Sequence, residues 1–208
     1  MASKLGLYNG ALLTLGQERL ANLAEASTAR RALDDAYDQT LDFCLEQGFW
    51  NFAMRAIQAD SSASVTPTFG YTFAFTKPDD FVRLHTMSAE PTMREPLLDF
   101  VDEPNFWFAN VDPLYAKYVS DSANYGGDLS LWPETFTDYV EKRLAVRTCK
   151  RITGSDPSDE LKKDEKRALA SARSKDAMNE PPGFPPRGSW ANSRSLGSGL
   201  NSTSRGLR

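Results

Sequence analysis

Between residues 4 and 15 the apolar positions Leu5, Tyr8, Leu12 and Leu15 recur at helical spacing, and Gly16 follows where a left-handed residue ends a helix. A longer stripe of Ala29, Leu33, Ala36, Tyr37, Leu41, Cys44 and Leu45 is opened by Ser27 or Thr28 as a cap and closed by Gly48. It predicts a helix over 27–47 with Arg30, Arg31, Asp34, Asp35 and Asp38 on a solvated or subunit-facing side. Pro133 and Glu134 open a third stripe, Phe136, Tyr139, Val140, Leu144, Cys149 and Ile152, that ends at Gly154 and predicts a helix over 133–153. A fourth is expected over 157–178, with Pro157 in its first turn and a narrow seam of Leu161, Ala168, Leu169 and Ala172. Its remaining faces are so charged that it either stands in solvent or lies against neighbouring subunits through salt bridges.

Between the second and third helices, roughly residues 50–120, the period changes. Trp50, Phe52, Met54 and Ile57 read as a strand with an irregular start. Tyr71, Phe73 and Phe75 alternate with Thr72 and Ala74, the run Lys77-Pro78-Asp79-Asp80 makes a turn, and Phe81, Val82 and Leu84 continue as an extended or one-turn helical piece. From Pro91 to Tyr118 the chain stays aromatic and extended, and Pro96, Pro104 and Pro113 suit strand ends and sheet edges rather than a buried central strand. These elements together predict an α+β, mainly helical fold: a four-helix bundle-like core with a β-rich insertion.

Composition adds an arm to that core. Residues 181–208 hold four Pro, five Gly and six Ser, no Asp or Glu, and four Arg. The 208-residue chain carries a net −4, so the arm is +4 and the first 180 residues are −8. Such a segment buries too little apolar surface to offset its ordering entropy by itself. Phe184 and Trp190 nevertheless give it two large aromatics, and it reads as a peptide that folds onto a partner. A mildly acidic chain does not wrap nucleic acid by neutralising phosphates. Nor does any run approach the roughly 18 apolar residues of a membrane span, and a cytosolic site of synthesis is expected.

Candidate chemistry is sparse. Two cysteines, Cys44 and Cys149, and one histidine, His85, lie too far apart in sequence for a paired-ligand zinc site. The cysteines are expected as two buried thiols, although spacing alone leaves a disulfide open. His85, at strand spacing in "FVRLHTM", reads as a structural histidine, and Asp79 and Asp80 read as turn and cap residues rather than a catalytic pair. Gly126-Gly127 marks a tight turn or mobile loop without a basic residue to hold phosphate. No cofactor, metal or catalytic residue is expected, and the chain is read as structural rather than enzymatic.

The order of features resembles a known family. "ALLTLGQERL" after the first helix, "FCLEQGFWNFAMRAI" after the second, "GYTFAFTKPDDFVRL", an aromatic strand region, two C-terminal helices and "GSWANSR" in the arm are similar to the head-to-tail adaptors (connectors) of short-tailed bacteriophages, the tail tubular protein A-like family. The resemblance implies a virion protein at the head–tail junction, in a homo-oligomeric ring of about twelve copies between portal protein and tail nozzle protein. DNA would pass through its lumen without sequence-specific binding, repelled by acidic walls for which the second and fourth helices are candidates. Portal binding would fall to Phe184, Arg187, Trp190 and Arg194 of the arm, whose 28 residues reach up to about 90 Å. Nozzle binding would fall to Trp107 and Phe108, expected as exposed aromatics. Another neck or tail ring component, or a virion-associated peptidoglycan hydrolase, remains the alternative.

Overall fold

A computed structural model describes residues 2–68 and 70–179. It is an α+β fold of four helices and two small antiparallel sheets. The arm at 181–208, with Phe184, Arg187, Trp190 and Arg194, lies outside the described residues.

Local capping chemistry sets the helices. Ser3 accepts from the Gly6 N–H and starts α1 (Lys4–Thr14), Ser27 accepts from Arg30 and starts α2 (Thr28–Glu46), and Ser158 accepts from Leu161 and starts α4 (Asp159–Ala177). Pro157 therefore precedes the cap of α4 instead of occupying its first turn. Pro133 stands at the N-cap of α3 (Glu134–Thr153), whose other end is closed by Gly154 at φ +76°. Helix α1 buries Leu7, Tyr8, Ala11 and Leu12, whereas the expected Leu5 and Leu15 sit at the margin of the core. The stripe is rotated because α1 lays its face along α3.

Helix α3 packs against α1, α2 and α4. Their shared core contains Leu33, Cys44, Trp50, Phe136, Tyr139, Leu144 and the two alanines Ala168 and Ala172 of α4. Both cysteines are free and buried, and burial pushes the Cys44 thiol up to about 12, which keeps it a protonated, inert small hydrophobe. Asp34, expected on the outer side of α2, instead faces α1: it accepts from the Tyr8 hydroxyl at 2.7 Å and pairs with Lys4 at 3.5 Å.

The insertion is two sheets. A single 3-10 turn (Asn51–Ala53) leads into β1 (Met54–Ala59), and β1 and β3 (Phe81–Ser88) flank β6 (Leu114–Ser120). The second sheet places β5 (Phe106–Ala109) between β2 (Phe73–Thr76) and β4 (Phe100–Asp102). Pro113 stands at a strand end, as expected, but the strand it precedes is the central β6 rather than an edge, and there its missing N–H removes no ladder bond. On one face of β6, Leu114 and Ala116 join Phe75, Met87, Trp107 and Ala109 in a core between the sheets. Val119, on the opposite face, belongs to the helical core.

Trp107 is fully buried in that second core, edge-on to Phe81 at 5.3 Å, and is not the exposed aromatic that the sequence suggests. Every residue of "FWF" is aromatic, so strand parity cannot be read from hydrophobicity; pairing with Phe75 turns Trp107 inward and leaves Phe108 half-buried on the outer face. Gly126-Gly127 is a packed turn: its chain returns an N–H to the Ser120 carbonyl at 3.0 Å, and a Cβ on Gly126 would overlap that same oxygen. The indole of Trp132 donates to the Gly126 carbonyl at 2.8 Å and fastens the turn to the start of α3.

Glu141 of α3 rests on Gly10 of α1, where a Cβ would overlap its carboxyl carbon. Burial first, then the neighbouring Asp138 and Glu134, pushes this carboxyl up to about 7, with Lys142 pulling it back in part. A raised acid pKa favours the protonated folded form, so this contribution is complete below the ordinary value of 4.5 and is lost as pH rises through about 7. Glu141→Gln is therefore expected to raise stability by on the order of 1–2 kcal/mol at pH 8 and by almost nothing at pH 4. Thermal melts at the two pH values check this; an equal gain at both would contradict it.

Candidate functional site

Two grooves open on separate elements. The first, about 490 Å³, lies where α2, β3 and α4 meet and is lined by Gln47, Gly48, Phe49, Trp50, Arg83, His85, Arg173, Asp176 and Ala177. Arg83 and His85 of β3, a strand whose register with β6 is irregular between Leu84 and Thr86, both stand over Phe49. The Arg83 guanidinium stands 4.3 Å from the Phe49 ring centroid and donates to the Glu46 carbonyl at 2.9 Å, and the His85 ring is 4.7 Å from Phe49. Arg173 donates to the Gln47 carbonyl through both Nε, at 2.9 Å, and Nη2.

Two cations thus cover the carbonyls that end α2, the negative pole of that helix. Asp176 accepts from the Asn51 N–H at 3.1 Å, and the Asn51 side chain donates to the Asp176 carbonyl at 3.0 Å, which ties the last turn of α4 to the entrance of β1. His85 therefore sits in a groove lining. Ala177, the last residue of α4, lines this groove.

A second groove, about 370 Å³, opens on the outer face of the small sheet between the segment around 65–71 and strands β4 and β5. Phe106 and Phe108, two residues apart on β5, stack at 6.3 Å with their planes 15° apart, and Val101 and Tyr71 complete an apolar lining. Tyr71 is held by its hydroxyl, which donates to Asp99 at 3.0 Å. Of the two residues expected to meet a nozzle, only Phe108 reaches this surface. Phe106 carries the same signal and was missed, because an isolated strand does not say which parity faces out.

Asp79 and Asp80 stand in the turn before β3. Asp80 accepts from Arg55 Nη1 at 2.7 Å, from the Tyr118 hydroxyl at 3.0 Å and from the Ser120 hydroxyl, and so joins β1, β6 and the turn before β3. Burial pushes its carboxyl up, but the bonds from Ser120, Arg55 and Tyr118 together outweigh burial and hold it below the usual carboxylate range. All of its partners are structural, so this is a fastening rather than an acid–base pair. Among the described residues, no group of three His, Cys, Asp or Glu side chains is placed to hold a metal ion, and no helix is long and apolar enough to cross a membrane.

No protein-family model matches the chain, and no curated protein matches it.

Proposed function

We propose that this chain is a structural virion protein that forms a ring between the portal and the tail nozzle of a short-tailed bacteriophage and continues the DNA channel for genome retention and ejection. The observation that carries the reading is the separation of its contact surfaces: an aromatic groove on the small sheet, and a cationic, aromatic groove where α4 ends. A protein that joins two different partners needs two such surfaces on different elements. The order of sequence features shared with head-to-tail adaptors supports the same reading.

In this role the fold is a helical bundle carrying a β-rich insertion and an extended C-terminal arm. The arm, through Phe184, Arg187, Trp190 and Arg194, docks on portal, its aromatics filling pockets and its arginines meeting acidic groups. Phe108, together with Phe106, faces the nozzle. The −8 body repels phosphate, so DNA slides past it without base readout. The protein is made in the host cytoplasm and works at the head–tail junction.

Negative-stain images of purified portal with and without the full chain test the reading, which requires an added axial ring; portals left unchanged would overturn it. Deleting residues 181–208 is expected to leave helical content and melting temperature intact and to abolish co-sedimentation with portal. Continued co-sedimentation of the shortened chain would remove the arm from the portal interface.

A further inference from the structure

One stretch of α2 and one of α4 each expose charges of a single sign, preceded on α2 by the exposed Arg31 and on α4 by the exposed Asp159 and Glu160. From Asp35 to Glu46 every exposed charged residue of α2 is acidic: Asp35, Asp38, Asp42 and Glu46. Steps of three and four residues keep these on one side, opposite the buried Leu33, Ala36, Tyr37, Thr40 and Cys44. The row runs about 16 Å along the helix.

On α4 the sign is reversed. From Leu161 to Ala177 every exposed charged residue is basic: Lys162, Lys163, Lys166, Arg167, Arg173 and Lys175. The three acids in this stretch are half-buried and occupied, Asp164 with Arg167, Glu165 with Arg143 and Asp176 with the Asn51 N–H. By helical periodicity Lys162, Lys166 and Arg173 share one side, flanked by Lys163 and Arg167, over about 16 Å, close to the length of the acidic row, while Lys175 stands apart from them. Glu165 and Asp176 of α4 thus turn toward the body, whereas Asp159 and Glu160 at its start stay exposed.

Among the described residues no ion pair joins the two faces within one protomer. Asp35 alone of the acidic row has one, an exposed contact with Arg151 at 2.6 Å. Like charges three and four residues apart on a helix repel, and the Asp42 carboxyl is pushed up by burial and by Asp38 and Glu46. Asp38, Asp42 and Glu46 of the row thus have no ion pair among the described residues, and neither have Lys163, Lys166 and Lys175.

We propose that the acidic row of α2 in one copy docks on the basic face of α4 in the next copy of this chain. The partner is a second copy because one chain carries both halves of a charge-complementary pair of similar length. Since the two faces differ, the contact is heterologous: it repeats from copy to copy and closes as a ring when the rotation allows. This inference rests on the ring reading above and names the surfaces that build it. The other cationic segment able to meet the acidic row is the +4 arm, and the experiment separates the two.

The full-length chain is compared by sedimentation velocity with two reversed variants, Asp38→Lys/Asp42→Lys/Glu46→Lys and Lys163→Glu/Lys166→Glu/Arg167→Glu. At low ionic strength the unaltered chain should self-associate with rising concentration and dissociate as salt is added. Each reversed variant should associate at least about tenfold more weakly, and an equimolar mixture of the two should recover association, which an unfolded variant cannot do. A chain that stays monomeric at low salt, association untouched by either reversal, a mixture that fails to recover, or loss on α2 reversal and on removal of 181–208 but not on α4 reversal would each overturn the proposal. Portal imaging keeps the two readings apart. Rings formed equally by the reversed variants remove this interface and leave the adaptor role, whereas no ring from the unaltered chain removes the adaptor role.

Discussion

Trp50→Ala should destabilise the protein by about 3–5 kcal/mol, a third or more of the total stability of an ordinary small domain. Trp50 is only 1% exposed, and its ring lies 4.8 Å from that of Phe136 and 6.4 Å from that of Phe52. Its indole N–H donates to the Cys44 carbonyl at 3.0 Å, so the side chain also satisfies one of the open carbonyls at the end of α2. The chain must turn tightly to bring it there: a Cβ on Gly48 would stand 2.8 Å from the indole. Truncation therefore leaves a cavity at the junction of α2, α3 and the first sheet and removes one of two donors to the Cys44 carbonyl, the Gln47 N–H remaining. Urea unfolding followed by far-UV circular dichroism measures the loss, and a change below 1 kcal/mol would show that this junction is not part of the core. Trp50→Phe separates the two terms, since it keeps most of the packing and loses only the N–H.

The second large effect is electrostatic. Asp80→Ala is expected to cost about 2–4 kcal/mol at pH 7, because it leaves the Arg55 guanidinium and the Tyr118 and Ser120 hydroxyls without their acceptor. The Asp80 side chain is 15% exposed, so water replaces those bonds only in part. Its carboxyl is held below the ordinary value of 3.8, and the stabilisation it supplies is present above that value and lost as pH falls through the lower native one. The gap between the two proteins should accordingly narrow as the pH is taken below about 4. Urea midpoints at pH 7 and pH 3 decide the point. An unchanged gap would mean that Asp80 acts through shape alone.

This sign is opposite to that of Glu141. Acidification removes support at the sheet edge where Asp80 sits and relieves strain between α1 and α3, where Glu141 sits. The two sites therefore respond to pH in opposite directions. A single melting temperature followed against pH would average them, and the two variants resolve the sites.

The surfaces proposed to meet partners differ in how they arise. Phe106 and Phe108 reach the surface because pairing of β5 with β2 sets the register, Phe75 against Trp107 and Ala74 against Phe108. A slip of one residue would bury Phe108 and expose Trp107. The basic face of α4 depends instead on how little that helix buries, essentially Ala168 and Ala172. Small residues at the contact let α4 lie close to α3 and leave its long cationic side chains free to point outward.

By itself the sequence determined the four helices, the start of α2 at Ser27, the glycine ends at Gly16 and Gly154, and the change of period between the helices. A Ser that accepts from an N–H three residues on, or an apolar stripe recurring every three or four positions, is decided within a turn or two of chain. It also determined that Cys44 and Tyr139 face inward and that the net charge is split between an acidic body and a basic arm. Only the tertiary structure decided that β6 is a central strand, because its partners β1 and β3 lie far away in sequence and both its faces had to be covered at once. In the same way it decided that Trp107 is core and Phe106 surface, that Asp80 is a three-way fastening, and that Glu165 and Asp176 of α4 turn to the body while Lys163 and Lys166 face solvent. The physical reason is common to all four: each depends on which side of an element another element occupies, and that is a property of packing between distant residues rather than of the local chain.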